Sequence, residues 1–454
     1  MSAARLLVCA LVAVIFAAPF RVSAADDALI AEGRRLFFEE TFDGNGRTCG
    51  SCHPAENNYT IDPAYIANLP KSDPLLTAAF LERPELLRKL ALVTVHADGF
   101  DRPGVPRSVP HLLGLARSLD HLEGALTLPG ASRDLLHATG WSGDGAPKPG
   151  NLRAFATGAV REHLTKSVAR IEGRDFRLPT PHELDALAAF MRTLGRRARD
   201  ELELGNFIGV TFRSKLVERG RFLFNNEVSG PCALCHRNAT GLDEGGFNGM
   251  FDIGVQRRRD TPARLLDPTV PPDGGFGPCV GRPTREGCGD GRFNVPSLIE
   301  AADTPPYFHD NSAATIEQAI RFYTTATFAN SVDGQALPVI RLTGPDINAI
   351  GALLRTLNAI ENIRSAKAFM VQAMALGLAD GRSVLRLASA DTDDAAIDLT
   401  GGPVLINVAS TSLLRSARGL LAEALAARTT SVRDKALRAA MAAETRARAQ
   451  MLAN

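Results

Sequence analysis

Six of the seven cysteines fall into three pairs, Cys49 with Cys52, Cys232 with Cys235, and Cys279 with Cys288, and the first two pairs are each followed at once by a histidine. The segments CGSCH, ending at His53, and CALCH, ending at His236, have the Cys-x-x-Cys-His pattern of c-type haem attachment. A spacing of three residues is nearly one helical turn, so both sulfurs can face one porphyrin edge and form thioethers with its vinyl groups. The adjoining imidazole then reaches the iron. Two rival chemistries use similar cysteines: a thioredoxin-like dithiol, and half of a zinc site. A dithiol motif belongs after a strand in a βαβ unit, whereas both segments here follow amphipathic helical stretches. A zinc ribbon brings its pairs within about 15–20 residues, and His53 and His236 are 183 positions apart. Cys279 and Cys288 enclose a short Gly/Pro-rich loop and read as a structural disulfide of an oxidising compartment.

The motifs belong to a longer ordered repeat. Gly33-Arg34-Arg35-Leu36-Phe37 precedes the first and Gly220-Arg221-Phe222-Leu223-Phe224 the second. Val109-Pro110-His111-Leu112 returns as Val295-Pro296-Ser297-Leu298, and Ala159-Val160-Arg161-Glu162-His163 as Ala319-Ile320-Arg321-Phe322-Tyr323. His182–Leu194 then matches Pro345–Leu357 at a constant offset of 163, sharing alanines and an Arg-Thr-Leu ending at helical apolar spacing. These correspondences predict a mainly all-α chain with two tandem cytochrome-c-like haem domains, at 26–205 and 206–361. The first carries an insertion at about 54–140 that includes Pro-interrupted helical pieces such as Pro74–Leu92. Residues 362–454, rich in Ala, Leu and Arg, read as a helical extension with helices at Ser412–Ala427 and Ser431–Leu452.

A basic start at Arg5, the fifteen apolar residues Leu6–Phe20 and the small-residue segment Val22-Ser23-Ala24 predict a signal peptide over 1–25 and a periplasmic mature protein. That run is shorter than the ~20 residues a spanning helix needs, so stable membrane insertion is not expected. Without residues 1–25 the chain has 49 basic and 50 acidic residues. A near-neutral balance gives no sign of a nucleic-acid partner, and none is expected; it also gives little long-range steering.

The segments FFEETFDGNGRTCGSCH, GWSGDG around Trp141, and FNVPSLIEAADTPPYFHDNSAATIEQAIRFY from Phe293 to Tyr323 resemble the di-haem cytochrome c peroxidase and MauG superfamily. The likeness covers roughly residues 28–360 and is strongest over 293–323. It implies a division of labour, with hydrogen peroxide reacting at the N-terminal haem and the C-terminal haem relaying electrons. Trp141 would lie between them. It also implies a redox partner, a small cytochrome or another electron donor, and one calcium ion held partly by the carbonyls of Thr304 and Pro306.

Distal groups decide the chemistry, because peroxide needs an open face on the iron while an iron liganded on both faces passes electrons. By the resemblance Tyr323 is the distal candidate at the second haem, where a phenolate favours ferric and higher states. At the first haem His163 would close the iron, whereas Glu162 could move the protons of bound peroxide. His96 is the next histidine after His53, too far along for the displaceable loop histidine of many peroxidases. His111, His121, His137 and His182 read as surface or satisfied core residues, and His309 as part of a loop near the second haem. Two other functions remain in view: a non-enzymatic electron-transfer cytochrome with His163 and Tyr323 as ligands, and a MauG-like oxidase of a protein or organic substrate.

Overall fold

Apolar residues at helical spacing become long helices in the computed structural model, which describes residues 24–97, 99–115, 152–196, 202–205, 209–228, 230–241, 249–275, 289 and 291–453. Helix makes up 55% and strand 5%, the mainly helical class that the sequence predicts. In the first half, α1 (Ala24–Glu39) packs on α3 (Pro181–Met191), and α2 (Leu152–His163) leans on α3. In the second, α4 (Lys215–Phe224) packs on α6 (Gly344–Ala375), and α5 (Ile316–Phe322) leans on α6.

The two helix pairs are built alike. A Cβ on Gly33 would stand 1.8 Å from the Ala186 carbonyl oxygen, and one on Gly220 would stand 2.0 Å from that of Ala349. Gly33 and Gly220 head the first repeated segment, and Ala186 and Ala349 are equivalent in the last. Each half therefore uses glycine at one repeat position to bring two backbones together. Helices α3 and α6 also start alike: Thr180 with Glu183, and Thr343 with Asp346, form capping boxes beside a first-turn proline.

The stretch after the first motif contributes short helices at Pro63–Asn68, Pro74–Thr77 and Pro84–Leu90, in line with the Pro-interrupted pattern. It also adds an unexpected hairpin, β1 (Leu92–Val95) antiparallel to β2 (Val105–Ser108). The β-branched run Val93-Thr94-Val95 suits an extended chain and is too short to show a period. Met250–Phe251 and Phe293–Asn294 form a second, two-residue antiparallel pair in the other half.

At the C-terminal end, α7 (Leu378–Asp398), α8 (Val408–Ala426) and α9 (Thr430–Met451) join the last turns of α6 in a bundle, with a core including Ala366, Met370, Leu385, Leu421 and Leu437. Helix α6 runs unbroken across 361/362, the position where the sequence suggests a domain boundary. The reason is that its buried face continues through Ile363, Ala366, Met370 and Ala373. Leu357 and Ile360 share one core with Ala395, Leu414 and Met451. The chain end returns to the second half, where the Ala453 N–H donates to the Thr211 carbonyl at 2.8 Å. Among the described residues no helix is long and apolar enough to cross a membrane.

Candidate functional site

Both Cys-x-x-Cys-His motifs adopt a helical turn. Thr48 starts the four-residue helix Cys49–Cys52, its N–H accepted by Ser51 Oγ at 3.0 Å. The second motif forms a 3-10 turn, Cys232–Leu234. In each, the histidine N–H returns to the first cysteine carbonyl, 3.0 Å at His53 and 2.8 Å at His236. This geometry places the two sulfurs of a pair on one side.

The loops that follow turn back through paired left-handed residues, Asn58-Tyr59 and Asn238-Ala239. Asparagine tolerates this conformation better than most residues. The turn brings a carbonyl onto each imidazole: His53 Nδ1 lies 2.8 Å from Tyr59 O, and His236 Nδ1 3.3 Å from Thr240 O. A carbonyl can only accept, so Nδ1 carries the hydrogen and Nε2 keeps its lone pair. Burial pulls both histidines down to about 4, which keeps them neutral, the form that binds metal.

Burial pushes the thiols up, to about 12 for Cys49 and Cys232 and about 11 for Cys52. Dithiol redox sites need the opposite shift, toward thiolate. Among the described residues no group of three or more His, Cys, Asp or Glu is arranged to hold a metal ion.

The two motifs open onto one continuous cavity of about 870 Å³, within the size range of cofactor sites, about 300–1,000 Å³. His53 and His236 line it, along with Glu162, His163, Tyr323, His96, His111 and His309. Next to the first motif its wall is polar. Glu162 Oε1 lies 2.6 Å from His96 Nδ1 and 3.7 Å from Arg170 Nη2, and Arg170 sits over the Phe100 ring at 4.4 Å. His163 Nδ1 is 3.7 Å from Glu82 Oε1, which pairs at 2.8 Å with Arg47, two residues before Cys49. Burial opposes ionisation of Glu82. The bonds and charges of His163 and Arg47 and the Thr94 N–H outweigh it and hold the carboxyl at about 2.

Beside the second motif the wall is aromatic. Tyr323 caps the C-terminus of α5 and packs edge-on against Phe322 and Phe328, with ring centroids 5.7 and 5.0 Å away, and Phe308 tilts against it at 6.5 Å. Burial, together with the neighbouring Cys235 and Cys232, pushes its phenol above the ordinary tyrosine value. His309 stacks on Phe293 at 3.8 Å, near Asp273 and Arg107.

Sequence-derived candidates Cys49, Cys52, His53, Cys232, Cys235, His236, Glu162, His163 and Tyr323 all line the cavity, as do Thr304 and Pro306. Trp141, Cys279, Cys288, His121 and His137 lie outside the described residues. His182 is exposed, as expected. His111 is half-buried and lines the cavity, and its Nδ1 has no hydrogen-bond partner among the described residues. Glu82 and Arg47 were not singled out by sequence, and His96 was noted only as the first histidine after His53. They come from the inserted segment and the loop before the motif, where no period or repeat marks them.

Comparison with family models and with curated proteins gives no match to this chain.

Proposed function

We propose that the chain is an exported di-haem c-type cytochrome of the cytochrome c peroxidase/MauG type. In this reading the two covalently held haems share the one cavity, peroxide reacts beside the first motif, and electrons pass through the second. The observation that carries it is the pair of motif histidines, each with Nδ1 tied to a backbone carbonyl, on one cavity whose two walls differ in character. Cys49 and Cys52 would tether one group with His53 beneath it, and Cys232 and Cys235 the other with His236. Bound haem supplies one-electron chemistry and, at an open face, reactivity toward peroxide. The protein supplies what surrounds it. Glu162 holds or releases a proton at its carboxylate oxygens, and His96 and Arg170 keep that carboxylate aimed. The buried Arg47–Glu82 pair fixes the segment before Cys49. Tyr323 provides a phenol oxygen at the second site, within a shell that excludes water.

One observation favours a second reading, electron transfer without catalysis. His163 has a carboxylate behind Nδ1, the usual support of a metal-ligating histidine. If it closes the first site, peroxide has no entry. EPR of the oxidised, matured protein separates the two: a high-spin ferric signal consumed on adding peroxide is the expected result. Two low-spin signals indifferent to peroxide would remove the enzymatic reading.

A further inference from the structure

Helix α2 carries both distal candidates of the first site, Glu162 and His163, at its C-terminal end. The last carbonyls of a helix have no partner inside it, so groups from elsewhere must take them. The loop just ahead of the first motif does so. The Asn45 N–H donates to the Leu164 carbonyl at 2.8 Å, and the Asn45 side-chain amide donates to the carbonyls of His163 and Thr165, both at 2.9 Å. One residue, four positions before Cys49, thereby holds three successive carbonyls at the end of the distal helix.

The geometry suits asparagine in particular. Its Oδ1 accepts from the Arg47 N–H at 3.0 Å, which fixes the orientation of the amide and leaves both of its hydrogens for the two carbonyls. An aspartate there would set oxygen against oxygen. The two backbones also approach closely, since a Cβ on Gly44 would stand 2.0 Å from the Leu164 carbonyl oxygen. Arg47 adds to the grip: its Nη1 reaches the His163 carbonyl at 3.5 Å and pairs with Glu82, whose Oε1 faces His163 Nδ1. His163 is held at its carbonyl and at its ring, each time by groups tied to the segment before Cys49.

The second half meets the same need differently. Beyond Tyr323, the hydroxyls of Thr324 and Thr325 donate to the Arg321 and Phe322 carbonyls at 2.8 and 2.6 Å, so that helix end is satisfied from its own chain. The grip from the motif loop is made where the residue ending the distal helix is a histidine.

We propose that Asn45 is a positioning residue that ties the last turn of α2 to the Cys49 attachment point and so keeps His163 from binding the first iron, leaving that face to peroxide. The inference rests on the di-haem reading. Cys49 and Cys52 fix the cofactor, and Asn45 fixes the helix end relative to them, so the separation of iron and imidazole is set within one short stretch of chain. Imidazole is a common ligand of haem iron. A His163 released from this grip takes the open position and shuts peroxide out.

The test uses EPR of the oxidised protein carrying both haems, confirmed by mass. In wild type the first site should be high-spin. Asn45→Ala removes the amide and should convert about nine-tenths of that signal to low-spin, slowing the reaction with peroxide about tenfold. The second-site signal should stay unchanged. Adding His163→Ala should return the first site to high-spin, a rescue that a merely structural role of Asn45 does not produce. A first-site spectrum in loaded Asn45→Ala identical to wild type overturns the inference alone, as does a low-spin signal that persists in the double variant. If Asn45→Ala does not take up both haems, Asn45→Ser, with one hydroxyl hydrogen for two carbonyls, replaces it under the same criteria. Loaded wild-type protein without a high-spin signal overturns the peroxide reading, and wild-type protein without haem overturns the di-haem reading itself.

Discussion

The two motif regions share a scaffold and differ in what faces it. In both, a helical turn aligns two cysteines, a glycine-mediated helix pair supports them, and a left-handed loop sets a carbonyl on the imidazole. Beside the first lie Glu162, His96, Arg170, His163 and Glu82. Beside the second lie Tyr323 and three phenylalanines. What holds the motifs is alike in the two halves, and what faces them is not. The chemistry of each site must therefore be sought opposite the histidine rather than at the motif.

The sharpest way to break this contrast is Glu162→Gln. It should slow the reaction with peroxide about 100-fold, the low end of what a positioned acid–base group contributes, and leave the EPR signature of the second site unaltered. Stopped-flow mixing with peroxide measures it, and an unchanged rate would make the polar wall a structural feature only. Tyr323→Phe is the complementary change. It should shift the absorption and EPR spectra of the second site while altering the peroxide rate at the first by less than about threefold. An unshifted spectrum would assign Tyr323 to packing.

Smaller effects probe what the halves have in common. Gly33→Ala and Gly220→Ala each drive a methyl into a facing carbonyl and should destabilise by about 1–3 kcal/mol, as overpacking does. Chemical denaturation compares them, and a loss at one site only would mean that the helix pairs are not equivalent. A pH-dependent effect is expected in the C-terminal bundle. Burial pushes Glu444 up to about 8, against the Thr392 hydrogen bond and the Lys367 charge. A raised carboxyl contributes stability below its unfolded value of about 4.3, and the contribution is lost as pH rises through 8. The melting temperature should fall between pH 5 and pH 8, as approximate ends of that window, and Glu444→Gln should flatten the fall. An identical slope in the variant would clear Glu444 of the effect.

Much of the scaffold was legible in the chain because it is written twice. Gly33 with Gly220, and Ala186 with Ala349, stand out only when the halves are aligned, and the structure gives each pair the same contact. Glu162, His163 and Tyr323 were found the same way. His96 could not be, because it sits at the end of a hairpin in the unrepeated insertion and meets Glu162 across 66 positions. His111 was visible as a repeat member, yet its place in the cavity wall depends on how distant segments come together, which no periodicity encodes. The continuity of α6 across 361/362 was missed for another reason: the repeat ends there, but the apolar face does not.

Everything said of the two walls presupposes a cofactor at each motif, and intact-mass spectrometry of the matured protein addresses that most directly. The account predicts two haem additions, falling to one when Cys49 and Cys52 are both replaced by alanine and likewise when Cys232 and Cys235 are. A mature chain with no added mass would contradict it.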